Sequence, residues 1–145
     1  MPFIKIYIHF VWTTKNFSPL LNGKTLREKV KSHILENCIN KGIHVDQLAV
    51  QKEHCHCLIS LGVDQTIEKT VQLLKGESSF WINKNALTSE KFEWQDEYFA
   101  VSVSESQVDR VRDYIKKQEE HHLKKTFKEE YEEFISKYGF QRLKD

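Results

Sequence analysis

His44-Val45-Asp46-Gln47-Leu48-Ala49-Val50, Gln51-Lys52-Glu53 and His54-Cys55-His56-Cys57-Leu58-Ile59-Ser60-Leu61 form the stretch on which the fold turns. The outer segments read as two β-strands, and the three residues between them as a short turn without an Asn-Gly type of signal. Upstream, Ile4, Ile6, Ile8 and Phe10 alternate with Lys5, Tyr7, His9 and Val11, which predicts a strand with one fully apolar face. Asn16, Ser18, Pro19, Asn22 and Gly23 mark a loop. A helix follows from about Lys24, with Leu26, Val30, Ile34 and Cys38 at four-residue steps and Gly42 as its stop.

Downstream of the hairpin, a second helix is predicted from near Thr66 with Ile67, Val71 and Leu74. Gly76 either ends it or is tolerated within it, Phe80 and Trp81 then continuing the apolar face. Residues 84–97 read as irregular and Tyr98 to Val103 as the fourth strand. Ser104 is a candidate cap for a helix bearing Val108, Val111, Ile115, Gln118 and His122 on one stripe. A last helix opens with Thr126-Phe127-Lys128-Glu129, a capping-box pattern, and is expected to bury Phe127, Tyr131, Phe134 and Tyr138. The order β-α-β-β-α-β-α-α places the chain in the α+β class. Its first six elements match the ferredoxin-like arrangement, an antiparallel sheet with helices on one face. The carboxy-terminal helices, which carry Tyr114, are additions to that core.

The chain has 145 residues, 39% hydrophobic and 30% charged, as expected for one globular domain spanning 1–145. No stretch approaches the roughly 18 apolar residues of a membrane span. The amino terminus lacks the basic-then-apolar pattern of a signal peptide, so a cytoplasmic location without membrane partners is expected. Cys38, Cys55 and Cys57 are an odd set and read as reduced core thiols. The net charge of +1 carries no overall sign of nucleic-acid binding. Residues 1–46 nevertheless hold seven Lys/Arg against three acidic residues, a pattern that suits either phosphate contact or a solvated helix face.

His54 and His56 are two apart on a strand, so their side chains share a face with Leu58, while Cys55, Cys57 and Ile59 share the other. The alternation argues against a zinc module of His54, Cys55, His56 and Cys57. Two imidazoles and one amide oxygen leave positions open for phosphate oxygens and suit Mg2+ or Mn2+. Tyr114 and Gln118 are four apart on a helix and share one stripe. Gln118 is a candidate neutral ligand and Tyr114 a candidate nucleophile toward a metal-bound phosphodiester. The competing reading makes Tyr114 a packing aromatic and Gln118 a surface amide. Similarly, His121 and His122 suit either DNA contact or a helix end. Trp12, Phe80, Trp81, Phe92 and Trp94 suit either base stacking or the core. Lys5, Lys15, Arg27 and Lys31 are candidate phosphate contacts.

Taken with His9-Phe10-Val11-Trp12-Thr13-Thr14-Lys15, Leu74-Lys75-Gly76-Glu77-Ser78-Ser79, Trp94-Gln95 and Ser102-Val103-Ser104, these motifs carry a resemblance. The chain resembles the single-tyrosine HUH transposases, the small insertion-sequence transposases and their relatives associated with repetitive extragenic palindromes. The resemblance runs through Tyr114-Ile115-Lys116-Lys117-Gln118-Glu119-Glu120-His121-His122 and spans nearly the whole chain. It implies an endonuclease that cleaves and rejoins single-stranded DNA bearing hairpins, through a covalent 5′-phosphotyrosine intermediate. By this resemblance Tyr114 is the nucleophile, and His54, His56 and Gln118 hold the divalent metal, Mg2+ or Mn2+. It further implies a homodimer in which the tyrosine helix of one subunit completes the site of the other. The alternative within the same fold is a domesticated or non-catalytic DNA-hairpin-binding regulator, which has no need of the phenol.

Overall fold

The computed structural model describes residues 2–118 and 126–138. The central hairpin is present as β2 (His44–Val50) and β3 (His54–Ser60), paired antiparallel. On the far side of β3 lies β1 (Tyr7–Thr14), and beyond it β4 (Trp94–Val103). The sheet order is β2-β3-β1-β4 with every neighbouring pair antiparallel. α1 (Lys24–Asn40) connects β1 to β2, and α2 (Ile67–Lys84) connects β3 to β4, giving the expected ferredoxin-like core. α3 (Val108–Lys116) and α4 (Phe127–Tyr138) follow. His121, His122 and the side chains of Phe134 and Tyr138 lie outside the described residues.

Alternation along the strands divides the sheet into two faces. Ile8, Phe10 and Trp12 of β1 and Cys55, Cys57 and Ile59 of β3 pack with Val30, Ile34 and Cys38 of α1 and Val71, Leu74 and Ile82 of α2. On the opposite face Leu58 and Ala49 pack with Val108 and Ile115 of α3. The carboxy-terminal helices thus cover the face that the ferredoxin-like core leaves open. Thr66 caps α2, its hydroxyl accepting from the Lys69 amide at 3.1 Å. The helix runs through Gly76 without a break. Across the outer side of α1 and α2, His33 stacks on Trp81 at 3.8 Å and faces the Glu77 carboxylate at 2.8 Å.

Two strand boundaries differ from the pattern. β1 starts at Tyr7, and Ile4 and Ile6 are exposed, because Tyr7 already pairs with the last residues of both neighbours, Ser60 and Val103. Alternation alone does not reveal where the partner strands end. β4 starts at Trp94 instead of Tyr98, since Trp94 pairs with Thr14 beyond an irregular step.

The aromatics divide by burial. Trp12, Phe92 and Trp94 belong to the core and Trp81 is held by His33, whereas Phe80 is 64% exposed. In urea unfolding, Trp12→Ala is expected to cost about 3–5 kcal/mol, and Phe80→Ala to stay within about 0.5 kcal/mol.

Candidate functional site

His54 and His56 point from β3 toward α3 and α4, and both rings are fully buried. Each has its Nδ1 engaged. His54 Nδ1 lies 2.7 Å from a carboxylate oxygen of the adjoining Glu53, and His56 Nδ1 lies 3.0 Å from His9 Nε2 on β1. Both rings therefore present Nε2 to the space between the helices, as in metal sites where a partner on the other nitrogen fixes ring orientation. Burial, together with the neighbouring His56, pushes the His9 imidazole down to about 3 against a smaller opposing effect of Glu130. His9 is therefore a neutral imidazole, able to hold His56 by one hydrogen bond without adding charge.

An ion pair and an apolar contact set the position of α3. Asp46 is the extra residue at an irregular step of the β2–β3 ladder, between the pairs Val45↔Ile59 and Gln47↔Leu58. Its carboxylate receives two bonds from Arg112, at 2.8 and 2.7 Å, and the guanidinium beside it holds the Asp46 carboxyl below its ordinary range. Such a two-point contact fixes orientation as well as distance. Two residues further on, Tyr114 sets its ring edge-on to His56, with centroids 5.4 Å apart. Gln118 is buried one turn later. Its amide nitrogen donates to the Tyr114 carbonyl at 3.3 Å, and its oxygen lies 3.4 Å from His54 Nε2.

α4 supplies what sequence reasoning missed. Thr126 caps the helix, accepting from the Glu129 amide at 3.3 Å as the capping-box pattern predicts. Phe127 stacks on His54 with ring centroids 3.7 Å apart. Glu130 is 3% exposed, lies 3.2 Å from His56 Nε2 and accepts the hydroxyl hydrogen of Tyr114. The signal for it was present: Glu130 is three residues beyond Phe127, on the same helix stripe, where an acidic residue is out of place unless it has partners.

All four predicted site residues, His54, His56, Tyr114 and Gln118, meet in one place within a single chain. Cys55 and Cys57 face α1 and α2 instead, and burial pushes both thiols far up, so they stand apart as neutral core groups. Among the predicted phosphate contacts, Lys5 pairs with Glu105 and Lys15 with Glu93, and Arg27 donates to the Leu21 carbonyl. One ligand atom each of His54, His56 and Glu130 lies within 4.8 Å of the others. Two imidazole nitrogens, a carboxylate and a nearby amide oxygen are a donor set that fits a divalent cation of the Mg2+ or Mn2+ type. The Tyr114 phenol stands at the edge of this group, donating to Glu130. No described helix is long and apolar enough to cross a membrane.

No curated protein matches the sequence. Among solved structures, the chain is similar to a provisionally assigned transposase from Deinococcus radiodurans R1, with TM-score 0.63 and 21% identity over 81% of this chain and 93% of that one. It is also similar to a REP-associated tyrosine transposase solved with a REP hairpin, with TM-score 0.64 and 17% identity over 84% of this chain and 72% of that one. These likenesses establish the shared fold. Residues 3–118 match the family described as "Transposase IS200 like", a span that leaves Glu130 outside. Since that match runs from before β1 to Gln118 and takes in both histidines and Tyr114, the chain belongs to the IS200-like transposase family.

Proposed function

We propose that this chain cuts and rejoins single-stranded DNA by attack of the Tyr114 hydroxyl on a phosphodiester. The observation that carries the reading is that one buried carboxylate, Glu130, contacts both the Tyr114 hydroxyl and His56, so phenol and histidines share a single locus. In the step, the Tyr114 oxygen bonds to phosphorus and the 3′ oxygen of the preceding nucleotide leaves. The proton lost by the phenol is matched by the one the 3′ oxygen gains. The products are a 5′-phosphotyrosine and a free 3′-hydroxyl, and attack by the 3′-hydroxyl of another end reverses the linkage without any high-energy cofactor.

His54 and His56 through Nε2, with the Gln118 amide oxygen and the Glu130 carboxylate, are the groups that would hold a divalent metal. Such an ion would supply charge stabilisation at the phosphate, where a phenol nucleophile most needs help. Glu53 and His9 keep the two imidazoles aimed. The hairpin of the solved relative supports hairpin-bearing single strands as the substrate here. Contacts within one chain already bring α3 onto its own histidine strand, which supports a site served by its own tyrosine, whether or not the chain pairs as the homodimer that the resemblance implies.

Tyr114→Phe is expected to abolish the covalent protein–DNA adduct on a denaturing gel while leaving hairpin affinity within about twofold, given that one hydroxyl is removed. An adduct formed by that variant would overturn the assignment. For the metal, isothermal titration with Mn2+ should show affinity falling roughly 10–100-fold in Glu53→Ala and in His9→Ala, as for other groups that orient metal-bound histidines. Unchanged affinity in both would remove the ion from this locus. Finally, Tyr114→Phe and His56→Ala chains, each inactive alone, are expected to remain inactive when mixed. Recovered cleavage would mean that tyrosines are exchanged between subunits.

A further inference from the structure

Beside the histidines the sheet opens. β1 and β4 pair regularly from Tyr7↔Val103 to Trp12↔Tyr98, but the next pair is Thr14↔Trp94. Gln95, Asp96 and Glu97 therefore stand opposite Thr13 alone, which widens the ladder at that point. Lys75 of α2 fixes the displaced segment from outside, donating to the carbonyls of Gln95 and Asp96 at 2.6 and 3.0 Å. Immediately after β1, Asn16 and Phe17 hold φ of 59° and 57°. Two consecutive non-glycine residues in the left-handed region are strained, and strain of this kind concentrates at functional sites. The strained turn brings the Phe17 ring to 5.2 Å from Tyr131 and 6.0 Å from Phe127, both on α4.

Between the opened ladder and this turn lies a cavity of about 290 Å³ lined by Thr13, Asn16, Phe17, Gln95 and Tyr131. It adjoins the site already described, because Thr13 is the strand partner of His54 and Phe127 both stacks on His54 and neighbours Phe17. Its size is at the low end of small-ligand pockets, roughly 300–1,000 Å³, and suits one flat ring. None of the five side chains carries a charge, so the cavity lacks the cationic groups that most strongly attract a phosphate. It offers aromatic rings for stacking and two amides, each with a donor and an acceptor for the edge of a base.

We infer that this cavity receives one unpaired nucleobase of the DNA strand, next to the phosphate that Tyr114 attacks. The inference rests on the single-strand cleavage proposed above and adds to it a place where the protein itself reads a base. The test uses a fluorescein-labelled strand with one hairpin and unpaired tails, each unpaired position made abasic in turn, followed by fluorescence anisotropy with the full chain.

One position is expected to weaken binding about 5–100-fold when abasic, the range of a lost base–aromatic stack. Phe17→Ala should weaken the intact strand by a similar factor and show no further loss on the abasic one. Gln95→Ala should keep the abasic loss but narrow the spread among the four bases at that position. Retained Mn2+ binding shows that the variants are folded. Absence of any sensitive position, or a Phe17→Ala variant that loses as much on abasic as on intact DNA, would overturn the pocket. Adduct formation at Tyr114 is scored separately. Adduct without base sensitivity sinks the pocket alone, and base sensitivity without adduct sinks the cleavage reading and leaves the pocket standing.

Discussion

Burial of β3 on both faces is the constraint on which the rest of this structure depends. Cys55, Cys57 and Ile59 are taken up by the core under α1 and α2, while His54, His56 and Leu58 face the other way and are equally buried. An ordinary ferredoxin-like core covers only one face of its sheet with helices. Two imidazoles and a leucine on the open face would leave apolar surface in water and the rings unoriented. α3 and α4 resolve both difficulties at once. Leu58 packs with Val108 and Ile115, and the histidines receive neighbours that hold them.

The polar groups under those helices are placed so that each buried one has company. Glu130 lies within reach of His56 and Tyr114, Glu53 of His54, and His9 of His56. A buried carboxylate is costly unless it is paired and hydrogen-bonded. Here the partners of Glu130 are His56 and Tyr114 themselves. The internal contacts of the cluster offset part of the cost of burying it.

Precision comes from irregular backbone on either side. The extra residue at Asp46 lets an edge strand grip Arg112 of α3, and so sets where Tyr114 falls. At the other edge, the irregular step opposite Thr13 and the left-handed pair Asn16 and Phe17 open space beside His54. Regular pairing would have been compatible with the hydrophobic core at both places. The departures from it lie on the histidine side of the sheet, consistent with irregular strands clustering near functional sites.

The sequence by itself determined the element order, the antiparallel α+β class and the division of β3 into a histidine face and a cysteine face, because periods of two and of nearly four residues are local properties of the chain. It also singled out His54, His56, Tyr114 and Gln118 by their spacing of two and of four residues, although α3 ends at Lys116 and Gln118 follows its last turn. What it could not decide depends on partners distant along the chain. Ile4 and Ile6 continue the apolar alternation but have no strand beside them, since β3 and β4 stop at Ser60 and Val103. Trp12 and Phe80 are alike as residues, yet one is core and the other exposed, because burial belongs to the packed layers. Glu130 entered the site only when α4 was laid across the histidines, and Phe17 met Tyr131 only through a turn whose backbone angles no residue pattern announces. Local periodicity fixes which side chains share a face. Only tertiary contact decides what that face meets.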